Sequence, residues 1–254
     1  MNPRLRAVVR VAVRTVNTPI AKARTTRALA KAPRPLKIEI GGLQKRPGWV
    51  VTNVNAVTRN FLDATTRWPL EDGSVSHIYA DNVIEHITLD AGRAMLAEAH
   101  RCLRPGGMIR LVTPDIRGHV ELYLSGAQAV DSSVGRRYRD AGLVVEHPID
   151  LVRIPIGSFG HHTGYVYDFD TLESELKRAG FHSVARLDLG ESEQPEFKGL
   201  DQRGEAGDSQ IAVEAVRSAL SGFGATRATT AGWGRRRPAR SRRSGRRGSS
   251  HRRA

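Results

Sequence analysis

From residue 36 to about residue 217, short and nearly continuous apolar runs alternate with amphipathic stretches, the pattern of strands alternating with helices. Residues 35–40 (PLKIEI) predict a strand running into Gly41-Gly42, and residues 49–54 (WVVTNV) a second. Residues 76–80 (SHIYA) predict a third, after the turn Glu71-Asp72-Gly73. Residues 88–103 predict a helix with Thr88 as N-cap and Asp90 in its first turn. Its apolar stripe is Ala91, Met95, Leu96, Ala99 and Leu103. Pro105-Gly106-Gly107 ends it and turns the chain into a fourth strand at 108–112. Together these predict a βαβ unit with a right-handed crossover. Strands without a polar face predict a sheet covered on both sides. A second helix is predicted over 168–180, with Phe169, Leu172, Leu176 and Ala179 on one face and Gly180 as its stop. Strands follow at about 183–189 and 210–216, joined by a long acidic loop.

Two regions break the rhythm. In the N-terminal arm, Leu5, Val8, Val9, Ala12, Val13, Val16 and Ile20 recur at helical spacing, with Arg4, Arg10, Arg14 and Asn17 elsewhere on the wheel. A basic amphipathic helix is expected over residues 4–20, kinked or stopped near Pro19. Three fates stay open for it: contact with an anionic membrane surface, docking of a partner, or packing on its own domain. Residues 117–167 hold a loose helical stretch (119–130), the cluster Arg136-Arg137-Tyr138-Arg139 and a Gly- and His-rich run (156–165). An irregular segment of that length inside a compact domain is expected to be a functional lid. From Ser218 the composition turns to Gly, Ala, Ser, Thr and then Arg, which predicts disorder.

Charge changes the picture through its distribution. The 254 residues hold 40 Lys+Arg and 26 Asp+Glu, a formal net charge of +14. Residues 1–37 carry ten basic residues and no acid, and residues 235–254 carry ten arginines and no acid. The body between them is therefore mildly acidic, at −6. A uniformly basic nucleic-acid-binding domain is excluded, and no specific nucleic-acid partner is expected. At most the tail would make salt-sensitive phosphate contacts. A lone Cys102 excludes a disulfide framework and a multi-cysteine zinc site, and it fits a reducing compartment. The longest run without a charged residue is 14 residues (154–167), too short to span a bilayer. A cytoplasmic protein is expected, with association to a membrane surface through residues 4–20 as the open alternative.

The candidate chemistry clusters where strands end. Gly41-Gly42 follows the first strand, and glycine there permits positive φ and close approach of backbone to a ligand. Asp81-Asn82 closes the third strand, with Glu85 and His86 one turn later. His86 is the most ordinary candidate for a base, the competing reading being a structural imidazole. His161-His162 and Tyr165 precede the 168–180 helix. His162 is a candidate base or substrate contact, against a polar loop that only packs or caps. No metal is expected, because paired carboxylates or cysteines at suitable spacing are absent nearby.

In order along the chain stand IEIGG (38–42), RPGWVVTNVNA (46–56), FLDATTRWPLEDGS (61–74), IYADNVIEHI (78–87), HRCLRPGGMIRLVTPD (100–115) and YDFDTLESELKRAGF (167–181). In these segments the body resembles the class I S-adenosylmethionine-dependent methyltransferases, more narrowly the short ones whose first strand runs straight into a "PGW" second strand. The resemblance implies an α/β fold, a single Rossmann-like doubly wound sheet, mostly parallel with an antiparallel final strand. It divides the chain into a basic N-terminal arm (1–35), a methyltransferase domain (36–217, with 117–167 as substrate lid) and a disordered Arg-rich tail (218–254). It implies S-adenosyl-L-methionine as cofactor, held by Gly41, Gly42, Asn55, Asp63, Ala64, Asp81 and Asn82.

In that family an acidic residue after the second strand takes the ribose hydroxyls. Here the position is Asn55, or Asn53 in the alternative register, and the Gly-x-Gly motif is abbreviated to Gly41-Gly42. Asp63 matches the carboxylate that receives the adenine amino group. The implied activity is methyl transfer to an oxygen of a small-molecule, sugar or lipid-linked acceptor. The departures at the glycines and at Asn55 raise a second reading, a binding or scaffold protein that keeps the fold without catalysis.

Overall fold

The computed structural model describes residues 3–202 and 209–218. All the described elements lie within the unit Met1–Ser221; the expected disordered Arg-rich tail beyond Ser218 lies outside the described residues.

Six strands form one sheet in the order β2-β1-β3-β4-β6-β5, with β1 Leu36–Ile40, β2 Val50–Thr52, β3 Val75–Asp81, β4 Leu103–Pro114, β5 Phe181–Leu187 and β6 Gln210–Arg217. The first four strands run parallel, and β6 is antiparallel to both β4 and β5. The fold is therefore the expected α/β sheet, mostly parallel with an antiparallel final strand. Every residue of β3 from Val75 to Ala80 is buried, as a strand covered on both faces requires.

The two faces are covered differently. Ile109, Leu111, Val213 and Ala215 join the core beneath three helices, α1 Pro3–Lys31, α2 Leu89–Cys102 and α6 Phe169–Arg178. Thr88 caps α2 by accepting Ala91 N–H, and Asp168 caps α6 by accepting Thr171 N–H, both at the expected positions. Arg93 of α2 grips Glu175 of α6 through two 2.9 Å hydrogen bonds, tying the two helices together. On the opposite face Tyr79, Val112 and Ala212 pack with Phe197 from the acidic loop between β5 and β6. That loop is thus a wall of the core. Arg110, fully buried on β4, bonds Asp201 of the loop and Glu214 of β6.

α1 runs straight through Pro19 to Lys31 and does not stop near it. Its second half is the packed half: Ala21, Thr25 and Leu29 are buried, Thr25 donates to the Phe61 carbonyl, and Asn17 donates to those of Ala56 and Thr58. Val9, Ala12, Val13, Val16 and Ile20, five of the seven positions of the expected apolar stripe, are exposed. The connection between β1 and β2 is only residues 41–49 and holds no helix. Parallel neighbours ordinarily need a crossover of a dozen or more residues, usually helical. α1 supplies cover on this side of the sheet.

The segment 117–167 is better ordered than its pattern suggests. It contains α3 Ile116–Leu124, α4 Ser133–Asp140, α5 Asp150–Gly157 and two 3-10 turns, Ala127–Asp131 and His161–Thr163. Ala129, Val134, Tyr138, Val145, Leu151 and Ile154 form a second small core among them.

Candidate active site

The parallel strands end along one edge, and ligand crevices of such sheets lie outside those ends. At the end of β1, Gly41 takes φ +80°, as expected for glycine. A Cβ at Gly41 would collide with the Val83 methyl, and one at Gly42 with Val51 and the Glu39 carboxylate. The space the glycines leave is filled by the chain's own side chains. Asn53 locks the same corner: its amide donates to the Gly41 and Gly42 carbonyls at 2.7 and 3.2 Å, and its oxygen accepts Val54 and Asn55 N–H. Both ends of Asn53 are thus used within the chain. Asn55 is exposed, accepts Val57 N–H at 3.1 Å, and lines a cavity with Gly42 and Arg46.

Asp63 lies in a different cavity, beside Lys22 and Thr26 of α1. One of its oxygens accepts both the backbone and the hydroxyl of Thr65, at 2.9 and 2.7 Å. Ala64 is buried next to it. At the end of β3, Asp81 accepts a 3.0 Å hydrogen bond from the Tyr79 hydroxyl. Asn82 follows with φ +50°, a left-handed conformation that Asn tolerates better than most side chains. Its N–H bonds the Val112 carbonyl and its side-chain oxygen accepts Gln210 at 3.1 Å. Asn82 lines a largely apolar cavity of about 370 Å³ outside the ends of β3 and β4, the main cavity by the chemistry-bearing side chains it gathers and not by volume. The seven residues expected to hold cofactor therefore do not share one cavity: Gly42 and Asn55 line one, Asp63 a second and Asn82 a third.

Glu85, His86, His119, Tyr138, Phe159 and His161 share the main cavity with Asn82. His86 ends the short 3-10 turn Ile84–His86, and its ring lies 4.6 Å from that of His161. Partial burial, with the nearby His161 adding to it, holds the His86 pKa below the usual imidazole value. His161 Nδ1 is 2.6 Å from the Pro155 carbonyl, which fixes that nitrogen as the donor and leaves Nε2 with its lone pair. His162 is exposed and lies outside the cavity lining. Of the His161-His162 pair it is His161 that turns inward, directed by Gly160 at φ +91°. Adjacent identical residues carry no periodicity to show which one faces in.

His119 and Tyr138 were also beyond the reach of the sequence pattern. His119 is fully buried, with Nε2 3.3 Å from the Tyr138 hydroxyl. Burial, with Arg137 adding to it, pushes its pKa down to about 4. A depressed histidine pKa means that the unfolded chain binds the proton first on acidification. Stability is therefore fully present above about pH 6.5 and falls as the pH drops towards 4, by a total on the order of 3 kcal/mol. Urea denaturation of His119→Phe should show a shallower loss of stability between pH 7 and pH 4.5 than the parent protein. Parallel curves would remove His119 as the cause.

Comparison with known proteins adds one decisive observation. Residues 45–111 match the family described as "Methyltransferase domain". The match runs from the loop before β2 into β4, and over that segment it bears out the resemblance read from the sequence. No curated protein sequence matches the chain. Among solved structures the chain is similar to a carbon methyltransferase named CurJ, at 14% identity and a TM-score of 0.43, over 76% of this chain and 52% of that one. It is similar to a possible histamine N-methyltransferase of Thermotoga maritima, at 16% identity and a TM-score of 0.42, over 81% and 98%. It is also similar to an O-methyltransferase family protein of Burkholderia thailandensis, at 12% identity and a TM-score of 0.43, over 86% and 61%. The chain thus spans about half the length of the first of these and nearly all of the second.

Proposed function

We propose that the chain transfers a methyl group from S-adenosylmethionine to an oxygen of a small-molecule, sugar or lipid-linked acceptor. One observation carries this reading: a largely apolar cavity holding His86 opens at the ends of β3 and β4, in a chain whose residues 45–111 match a methyltransferase domain.

The donor set at the sheet edge suits an adenosyl group in part. Asn82 supplies an amide to the cavity, Asp81 precedes it as the carboxylate that ends β3, and Asn55 and Asp63 supply further acceptors in two other cavities. The Gly41-Gly42 corner does not suit close ligand approach, because Val83, Val51 and Glu39 occupy it. Recognition therefore falls to side chains more than to glycine backbone. When bound, the cofactor supplies a methyl group on a sulfonium, already activated for transfer.

What remains for the chain is to align an acceptor, exclude water and take a proton. Phe159, Pro114 and Tyr138 give the cavity apolar walls, and the lid helices α3, α4 and α5 are held by their own small core. The His86 imidazole stands in that cavity as the proton acceptor for a hydroxyl. The exposed Val9, Val13, Val16 and Ile20, on a helix with Arg14, support contact with an anionic membrane surface where lipid-linked acceptors reside. No described helix is long and apolar enough to cross a membrane.

One assay reads both parts. The full chain, labelled S-adenosylmethionine, a small-molecule and lipid extract and anionic vesicles are incubated together and then sedimented. Label should enter extractable product, and protein should sediment less when Val13 and Val16 are replaced by Asp. Label confined to unreacted cofactor would count against methyl transfer, and unchanged sedimentation against the membrane contact.

A further inference from the structure

We propose that Glu85, His86 and His161 form a binding site for one divalent transition-metal ion at the wall of the main cavity. Each residue offers one ligand atom, and the three atoms lie within 4.8 Å of one another. Two imidazole nitrogens and one carboxylate oxygen suit Zn²⁺, Fe²⁺, Co²⁺ or Mn²⁺ and leave coordination positions free. Ligands about 2.1 Å from a shared ion stand about 3.0–3.4 Å apart. Closing the set from separations of up to 4.8 Å takes a shift of at most about 1.4–1.8 Å, which rotation of His86, exposed at the end of its turn, can provide.

The surroundings are built as a metal site's are. A liganding histidine ordinarily donates its other ring N–H to a carbonyl or carboxylate, which fixes ring and tautomer. His161 already does this: Nδ1 is bonded to the Pro155 carbonyl and Nε2 keeps the lone pair. Glu85 is fully buried, and one of its oxygens is oriented by the Thr113 hydroxyl at 3.2 Å.

The two segments carrying the ligands are clamped together. Tyr165 N–H bonds the Ile87 carbonyl at 3.0 Å, and Gly164 lies so close to the Glu85 carbonyl that a Cβ there would overlap it. His161 lies 75 positions after His86, which is why no spacing motif announces the set.

The ion's role, though not its binding, rests on the methyl-transfer reading. An acceptor hydroxyl that occupies a free coordination position loses its proton to solvent more readily. Its oxygen then forms the O–CH₃ bond while the S–CH₃ bond breaks and the electron pair stays on sulfur. In the metal-bound protein, His86 serves as ligand and the ion does the activation.

The test is a Co²⁺ titration of the tag-free, chelator-treated full chain, read by visible d–d absorption with Zn²⁺ displacement. The expected result is one Co²⁺ per chain, with affinity lowered at least 100-fold in both His86→Ala and His161→Ala and unchanged in His162→Ala. Thermal melting of each variant separates lost ligation from lost folding, and His86, being exposed, is the variant expected to stay folded. Absence of d–d absorption at millimolar Co²⁺, binding retained in folded His86→Ala, or binding lost in His162→Ala would overturn the proposal. None of these readouts depends on methyl transfer, so the site and the activity fail separately.

Discussion

Replacing Arg110 by leucine should destabilise the protein by about 3–5 kcal/mol, read as a lower urea midpoint at unchanged slope. Arg110 is fully buried on β4, between its antiparallel neighbour and the acidic loop. Its guanidinium donates to Asp201 at 2.9 Å, to Glu214 at 2.7 Å, and to the carbonyls of Glu191 and Asp188. Removing the cation leaves two buried carboxylates without it, and that desolvation sets the size of the effect. It also frees the loop that carries Phe197 over the second face of the sheet, since Asp201 additionally accepts Gly190 N–H. The triple replacement of Arg110, Asp201 and Glu214 by apolar residues should cost far less than the single one, because no charge is then stranded. A loss below 1 kcal/mol in Arg110→Leu would mean that water reaches those carboxylates and that the loop is not a wall of the core.

The second large effect belongs to the site. His86→Ala should lower kcat for methyl transfer by about 10²–10⁴-fold, the usual worth of a positioned acid–base group, while leaving cofactor affinity within about twofold. The split is the informative part. His86 shares the main cavity with Tyr138 and Phe159, whereas the cofactor candidates Asn55 and Asp63 line other cavities. A loss confined to cofactor affinity would move His86 out of the acceptor pocket. Metal content distinguishes an imidazole that takes the proton itself from one that acts through a bound ion.

Legibility of the fold varied with the strength of the local signal. α2 and α6 could be read because Thr88 and Asp168 mark their starts and their apolar stripes repeat over three turns. β1, β3 and β4 could be read because a strand buried on both faces has no polar alternation to blur it. Of the two outcomes expected at Pro19, a kink or a stop, the stop does not occur. The helix continues because Ala21, Thr25 and Leu29 gain burial beyond it, and tertiary packing outweighs the local penalty. α3, α4 and α5 are eight or nine residues long, too few turns to establish a period.

The site was legible as an edge of the sheet and less so as individual roles. Asp81, Asn82 and His86 stand where the strand ends implied. Gly41 and Gly42 need their missing Cβ for the chain's own packing, which glycine in a sequence cannot announce. His161 and its bond to Pro155 belong to a fold-dependent juxtaposition, visible only once residues 84–87 and 160–165 are brought together.

The central claim is that the sheet edge binds S-adenosylmethionine, and isothermal titration of the full chain with that cofactor tests it most directly. The account predicts saturable binding of one molecule per chain, weakened by about 1–3 kcal/mol in Asp81→Ala, where a charge-assisted bond is lost. Absence of binding at millimolar cofactor, in protein shown to be folded, would contradict it.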